Sequence, residues 1–144
     1  MPFPAVFLCL LAASSGFAQH EGWTTISAPE EEGWQSAPGF GWYRSYVEIP
    51  REWQGSRLLL IVDNISDVDE AFFNGTKVGA NGSMPPLFGK PSSSIRRPFI
   101  IEPDQVRFGK ANLIAWRIFN KEGKGGILKG PLHLTRIDDA IDLT

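Results

Sequence analysis

Residues Asp67 to Gly82 read DVDEAFFNGTKVGANG. Asn74-Gly75 is the strongest short hairpin signal a sequence offers, because both residues tolerate the positive φ that a type I′ turn demands. It therefore predicts a strand over Val68 to Phe73 that returns antiparallel through Thr76 to Val78.

Outward from that hairpin the texture is the same. Towards the N-terminus, Leu58 to Val62 (LLLIV) is an apolar run of strand length, closed by Asp63-Asn64 and fit to be covered on both faces. Before it, Tyr43, Ser45, Val47 and Ile49 alternate with Arg44, Tyr46 and Glu48 until Pro50 stops the run, which predicts a half-buried strand starting near Trp42. Towards the C-terminus, strands are expected over Arg96 to Glu102, Asn112 to Asn120 and Gly130 to Ile137. In the second of these, Ile114, Trp116 and Ile118 share one face and Ala115 and Arg117 the other. No window carries a 3.6-residue period. With 15 Gly and 11 Pro punctuating 144 residues, short strands joined by frequent turns predict a β-sandwich.

The composition bounds the function. One cysteine, 42% hydrophobic content and a net charge of −2 fit one globular domain with no strong positive field, so nucleic acid and anionic membrane are poor partners. The first twenty residues hold no Asp, Glu, Lys or Arg, and Phe3 to Ala13 is apolar but too short to span a bilayer of roughly 20 residues. Small residues at Gly16 and Ala18 complete the pattern of a secretory signal over residues 1–18, so a secreted or periplasmic chain starting at Gln19 is expected. Cys9 would leave with the signal, and the fold would be held without disulfides. Residues 19–41 read as an irregular lead-in and 42–137 as the sandwich. Residues 79–94 read as a long loop, and 138–144 as a frayed acidic tail.

The pieces resemble a known family in order and spacing. The acidic pair, aromatics and N-G-x-x-[IV]-G of Asp67 to Gly82 are similar to a segment of the jelly-roll domain of family 2 glycoside hydrolases and of sialate O-acetylesterase-like proteins. Trp42-Tyr43-Arg44 looks like their opening strand, and Pro50 to Gly55 like their proline, tryptophan and glycine connection. Gly109 to Arg117 (GKANLIAWR) is similar to their N-x-[LI]-A-x-R strand, and Gly125-Gly126-Ile127 with Gly130-Pro131 to the approach to their last strand. The resemblance implies an all-β, galactose-binding-domain-like jelly roll. Such a domain is usually an accessory module attached to a glycosidase or esterase catalytic domain, and the fold alone does not imply sugar binding.

Candidate chemistry is sparse. Asp67, Asp69 and Glu70, with Asp63 nearby, are the obvious carboxylates for a glycosidase pair, but a strand entrance is also where Asp caps backbone amides. A TIM barrel needs about 250 residues, more than the whole chain, and no Gly-Asp-Ser nucleophile segment occurs. Asp63, Asn64, Asp67 and Asp69 offer hard oxygen ligands for calcium, though at no EF-hand spacing. His20 and His133 are too few for a metal cluster or a triad, so no metal, cofactor or catalytic residue is assigned.

Among the aromatics, Trp116 and Trp53 read as packing residues, whereas Trp34, Phe40 and Phe88 lie beside Gly and Pro and either cover the core or project at its rim. Arg44, Arg96 and Arg97 supply fork-like donors for hydroxyls or a carboxylate. Arg44 and Arg97 would otherwise pair with Glu48 or Glu70. These six residues, Trp34, Phe40, Arg44, Phe88, Arg96 and Arg97, are the candidate ligand-binding set, with a glycan or a hydrolase catalytic domain as the partner. Two alternatives remain: a fragment of a larger beta-galactosidase or sialate O-acetylesterase-like hydrolase, and a structural protein-interaction module without sugar binding.

Thermal melting checks the metal expectation. Midpoints in calcium and in chelator are expected to coincide, and a calcium-dependent rise would show that the Asp-rich entrance holds an ion.

Overall fold

The computed structural model describes residues 23–26, 39–62, 65, 67–89, 97–122, 126 and 132–141. Among the described residues eight strands run in chain order: β1 (Trp23–Ile26), β2 (Gly39–Glu48), β3 (Leu58–Val62), β4 (Val68–Phe73), β5 (Thr76–Asn81), β6 (Arg97–Ile101), β7 (Ala111–Asn120) and β8 (Leu132–Arg136). They form two antiparallel four-stranded sheets, ordered β1-β8-β3-β6 and β2-β7-β4-β5. Only β4 and β5 are consecutive neighbours within a sheet. Every other step along the chain changes sheet, which is the winding of a jelly roll.

The core lies between the sheets and follows from strand periodicity. Ile114, Trp116 and Ile118 of β7, Ala71 and Phe73 of β4, and Leu58, Leu60 and Val62 of β3 are buried together with Ile101, Leu132 and Leu134. Trp53 is packed against this cluster at its margin. Ile61 is also buried, and Leu59 is half-buried, so LLLIV is covered on most of both faces as its unbroken apolarity predicts.

The hairpin tip is tied into the fold by side-chain amides. Asn74 and Gly75 take φ of 48° and 86°, the left-handed pair that the turn requires. Asn74 Nδ2 donates to Asn112 Oδ1 (2.8 Å) and to the Gln105 carbonyl (2.9 Å), while Asn74 Oδ1 accepts the Leu113 amide (2.9 Å). The fully buried Asn112 also accepts the Arg107 amide (2.8 Å) and donates to the Arg107 and Lys110 carbonyls (2.9 and 2.8 Å). Each amide uses its donors and its acceptor, as a buried Asn must. Further along, a Cβ on Gly79 would overlap the Phe99 ring of β6, so Gly79 is where one sheet's edge lies against the other's.

Three segments depart from expectation. The lead-in contains β1, a strand of four residues, too short to show alternation yet composed of strand formers (WTTI), and β2 begins at Gly39 rather than Trp42. β5 continues to Asn81, taking the start of the predicted loop and absorbing a register shift opposite Ala71 and Phe72. The acidic end is not frayed at its start: Ile137–Ile141 form a helical turn, α1. Its Ile137 amide donates to the Arg57 carbonyl (3.0 Å), and Asp139 accepts a two-pronged bond from Arg136 (2.6 and 2.7 Å). The signal segment and residues 142–144 lie outside the described residues.

Replacing Asn112 with Ala removes four hydrogen bonds and leaves their partners buried. Urea denaturation is expected to show a loss of about 2–4 kcal/mol. A loss below about 0.5 kcal/mol would mean that other contacts hold the hairpin tip.

Candidate functional site

Strand alternation splits β2 and β7 between core and surface. Tyr43, Ser45 and Val47 turn inward, so Phe40, Trp42, Arg44 and Tyr46 stand on the outer face of the β2-β7-β4-β5 sheet. Register places Phe40 opposite Phe119, Trp42 opposite Arg117, Arg44 opposite Ala115 and Tyr46 opposite Leu113. One strand further, Glu70 faces Arg117 and Phe72 faces Ala115.

These positions bring the aromatics together. The Phe40 and Phe119 rings lie 4.9 Å apart, and Phe88 meets Phe119 edge-on at 5.7 Å. Trp42 reaches Phe72 at 5.7 Å across the intervening strand, where Ala115 leaves room with a side chain of one methyl. A cation lies over three of the rings: Arg44 over Trp42 at 5.2 Å, Arg117 over Phe40 at 5.9 Å and Lys121 over Phe88 at 5.4 Å. Phe40 is 54% exposed and Tyr46 70%, so this face is apolar in its rings, basic in its charges and open at its β2 edge.

Glu70 is the acid at the centre of the face. Its carboxylate, largely covered, receives Lys77 Nζ at 2.7 Å and Arg117 Nη2 at 2.6 Å. Burial pushes this carboxyl up, but the Lys77 hydrogen bond and the Arg117 charge outweigh it and hold the group below the usual carboxylate range. Glu70 therefore pairs with Arg117 and Lys77, and among the described residues no carboxylate pairs with Arg44.

The candidate set divides. Phe40, Arg44 and Phe88 belong to this one face, whereas the backbone of Arg97 is in β6 of the opposite sheet, beside Val62. Trp34 and Arg96 lie outside the described residues. Sequence reasoning missed Trp42, Tyr46, Phe72, Arg117 and Phe119. Their signal was the alternation W-x-R-x-Y in β2, which reads as a strand's wet side until the register aligns it with Arg117 and Phe119.

The acidic residues separate. Consecutive on β4, Asp69 and Glu70 point to opposite faces: Asp69 is buried between the sheets and Glu70 stands on the outer one. They do not face each other across a cleft, which a glycosidase pair requires. Asp67 accepts the Lys121 amide at 2.6 Å, a backbone-capping role of the kind expected at a strand entrance. Asp63 and Asn64 lie outside the described residues, and among the described residues no three His, Cys, Asp or Glu side chains converge.

No protein-family model matches the chain, and no curated protein does. Solved structures do. A glycosyl hydrolase family 2 member from Bacteroides cellulosilyticus matches 67% of this chain over 13% of its own, at 24% identity and a TM-score of 0.54. A beta-glucuronidase from glycoside hydrolase family 2 matches 69% of this chain over 11% of its own, at 19% identity and a TM-score of 0.57. The Bacteroides uniformis beta-glucuronidase matches 69% over 12%, at 21% identity and a TM-score of 0.55. This chain thus shares the fold of a small part, about an eighth, of these glycosidases.

Glu70 gives the face a pH signature. Because its folded pKa is depressed, its stabilisation is complete above the unfolded value of about 4.3 and is lost as pH falls through the folded one. Glu70→Gln is expected to cost about 1 kcal/mol at pH 7, the partners being half exposed. Urea midpoints of the variant and the parent should converge in acid, and a gap that persists at pH 2 would refute the pairing.

Proposed function

We propose that this chain is an exported, non-catalytic β-sandwich module that works in carbohydrate processing, either as an accessory domain or as a piece of a larger family 2 glycoside hydrolase. The observation that carries the proposal is the match of its sandwich to about an eighth of chains whose names are those of glycosidases. All three are glycosidases, so the proposal follows that branch of the resemblance rather than the esterase branch.

The outer face of the β2-β7-β4-β5 sheet supplies what a saccharide needs. Sugar rings present C–H faces that stack on aromatic planes, and hydroxyls that accept from guanidinium and ammonium groups. Phe40, Tyr46 and Arg44 stand on or beside that open edge. The divergence of Asp69 and Glu70 supports placing the bond-breaking chemistry elsewhere in such a hydrolase.

Calorimetric titration of the chain without residues 1–18 against galactosides, glucuronides, sialosides and plant polysaccharides tests this. Saturable binding at millimolar or tighter affinity is expected, with no turnover of aryl glycosides in the same preparation. Silence across the panel would overturn the binding module. Turnover abolished by substituting Asp67 or Asp69 would overturn the non-catalytic assignment.

A further inference from the structure

On the outer face of the sheet, Arg44 is held without being neutralised. Its guanidinium lies over the Trp42 ring at 5.2 Å, and no described carboxylate pairs with it. Glu48, on the same side of β2, is four residues away, about 13 Å along a strand and out of reach. Glu70, the nearest acid across the sheet, is already occupied by Arg117 and Lys77, so that trio carries one net positive charge of its own. The chain as a whole is at −2, so this face is a local positive excess on an acidic protein.

The surroundings select the kind of anion. Tyr46, two residues from Arg44 on the same face and 70% exposed, offers an aromatic plane on the opposite side from Trp42. Over the Trp42 ring, the fork of Arg44 N–H donors has no carboxylate partner among the described residues, and that fork matches a planar group with two acceptor oxygens. A saccharide ring bearing a carboxylate matches both features: its C–H face on Tyr46 and its two carboxylate oxygens on Arg44.

We infer that this face binds acidic saccharides of the uronate class, with Arg44 reading the carboxylate and Tyr46 supporting the ring. The inference rests on the carbohydrate-binding proposal and adds the charge of the ligand to it.

The test titrates the chain with an oligouronate trimer, with the same trimer after reduction of its carboxyls to primary alcohols, and with tetraglutamate. The uronate is expected to bind about tenfold or more tighter than the reduced trimer, the advantage of one charge-assisted contact. Arg44→Gln should erase that preference, weakening the uronate about tenfold more than it weakens the reduced trimer. Tyr46→Ala, at an exposed position that the fold tolerates, should weaken both trimers. Equal affinity for the two trimers would overturn the acid reading and leave the carbohydrate proposal standing, whereas binding of neither would remove both. Tetraglutamate binding as tightly as the uronate, with Tyr46→Ala without effect, would make the face a site for acidic peptides and overturn the saccharide.

Discussion

The amide-to-amide bond between Asn74 and Asn112 joins the tip of one hairpin to the start of the strand at the heart of its sheet. β7 pairs with β2 on one side and β4 on the other. By also binding the Leu113 amide and the Gln105 carbonyl, Asn74 fixes where β7 begins relative to β4. Because a strand's side chains alternate, a slip of one residue there would carry Trp116 and Ile118 outward and turn Arg117 and Phe119 into the core. The two amides thus determine both the packing and which residues the outer face displays.

Much of this was legible because it is written in local chemistry. Asn74-Gly75 announces its turn through the φ values it tolerates, LLLIV its burial through unbroken apolarity, and Ile114, Trp116 and Ile118 their common face through spacing. Asn112 carried no such mark. Its role is set by the nearby Arg107 and Lys110 carbonyls together with a hairpin 38 residues away, and no local window contains that last contact. β1 escaped for a related reason, since four residues make too short a pattern and its strand status depends on β8 beside it.

The outer face shows the same division. Phe40, Arg44 and Phe88 stood out as candidates from their neighbours in the chain, but Phe40 and Phe88 meet Phe119 of β7, and Trp42 beneath Arg44 meets Phe72 of β4. Ala115 illustrates the point: in sequence it is a small residue on the face opposite Ile114 and Trp116, and in the sheet it is the gap through which Trp42 and Phe72 meet. Shared fold with parts of glycosidases then supplies a setting for a surface that the local sequence does not describe by itself.

The order β1-β8-β3-β6 has a consequence for synthesis. β8 lies between β1 and β3, so the first-made strand of that sheet has no neighbour until residues 132–136 have been synthesised. Until then one edge of the apolar β3 is unpaired, in a topology whose distant contacts make closure slow. A nascent chain of this kind depends on being shielded while it grows, and a ribosome that stalls short of residue 132 leaves a sticky half-sandwich rather than a smaller working one.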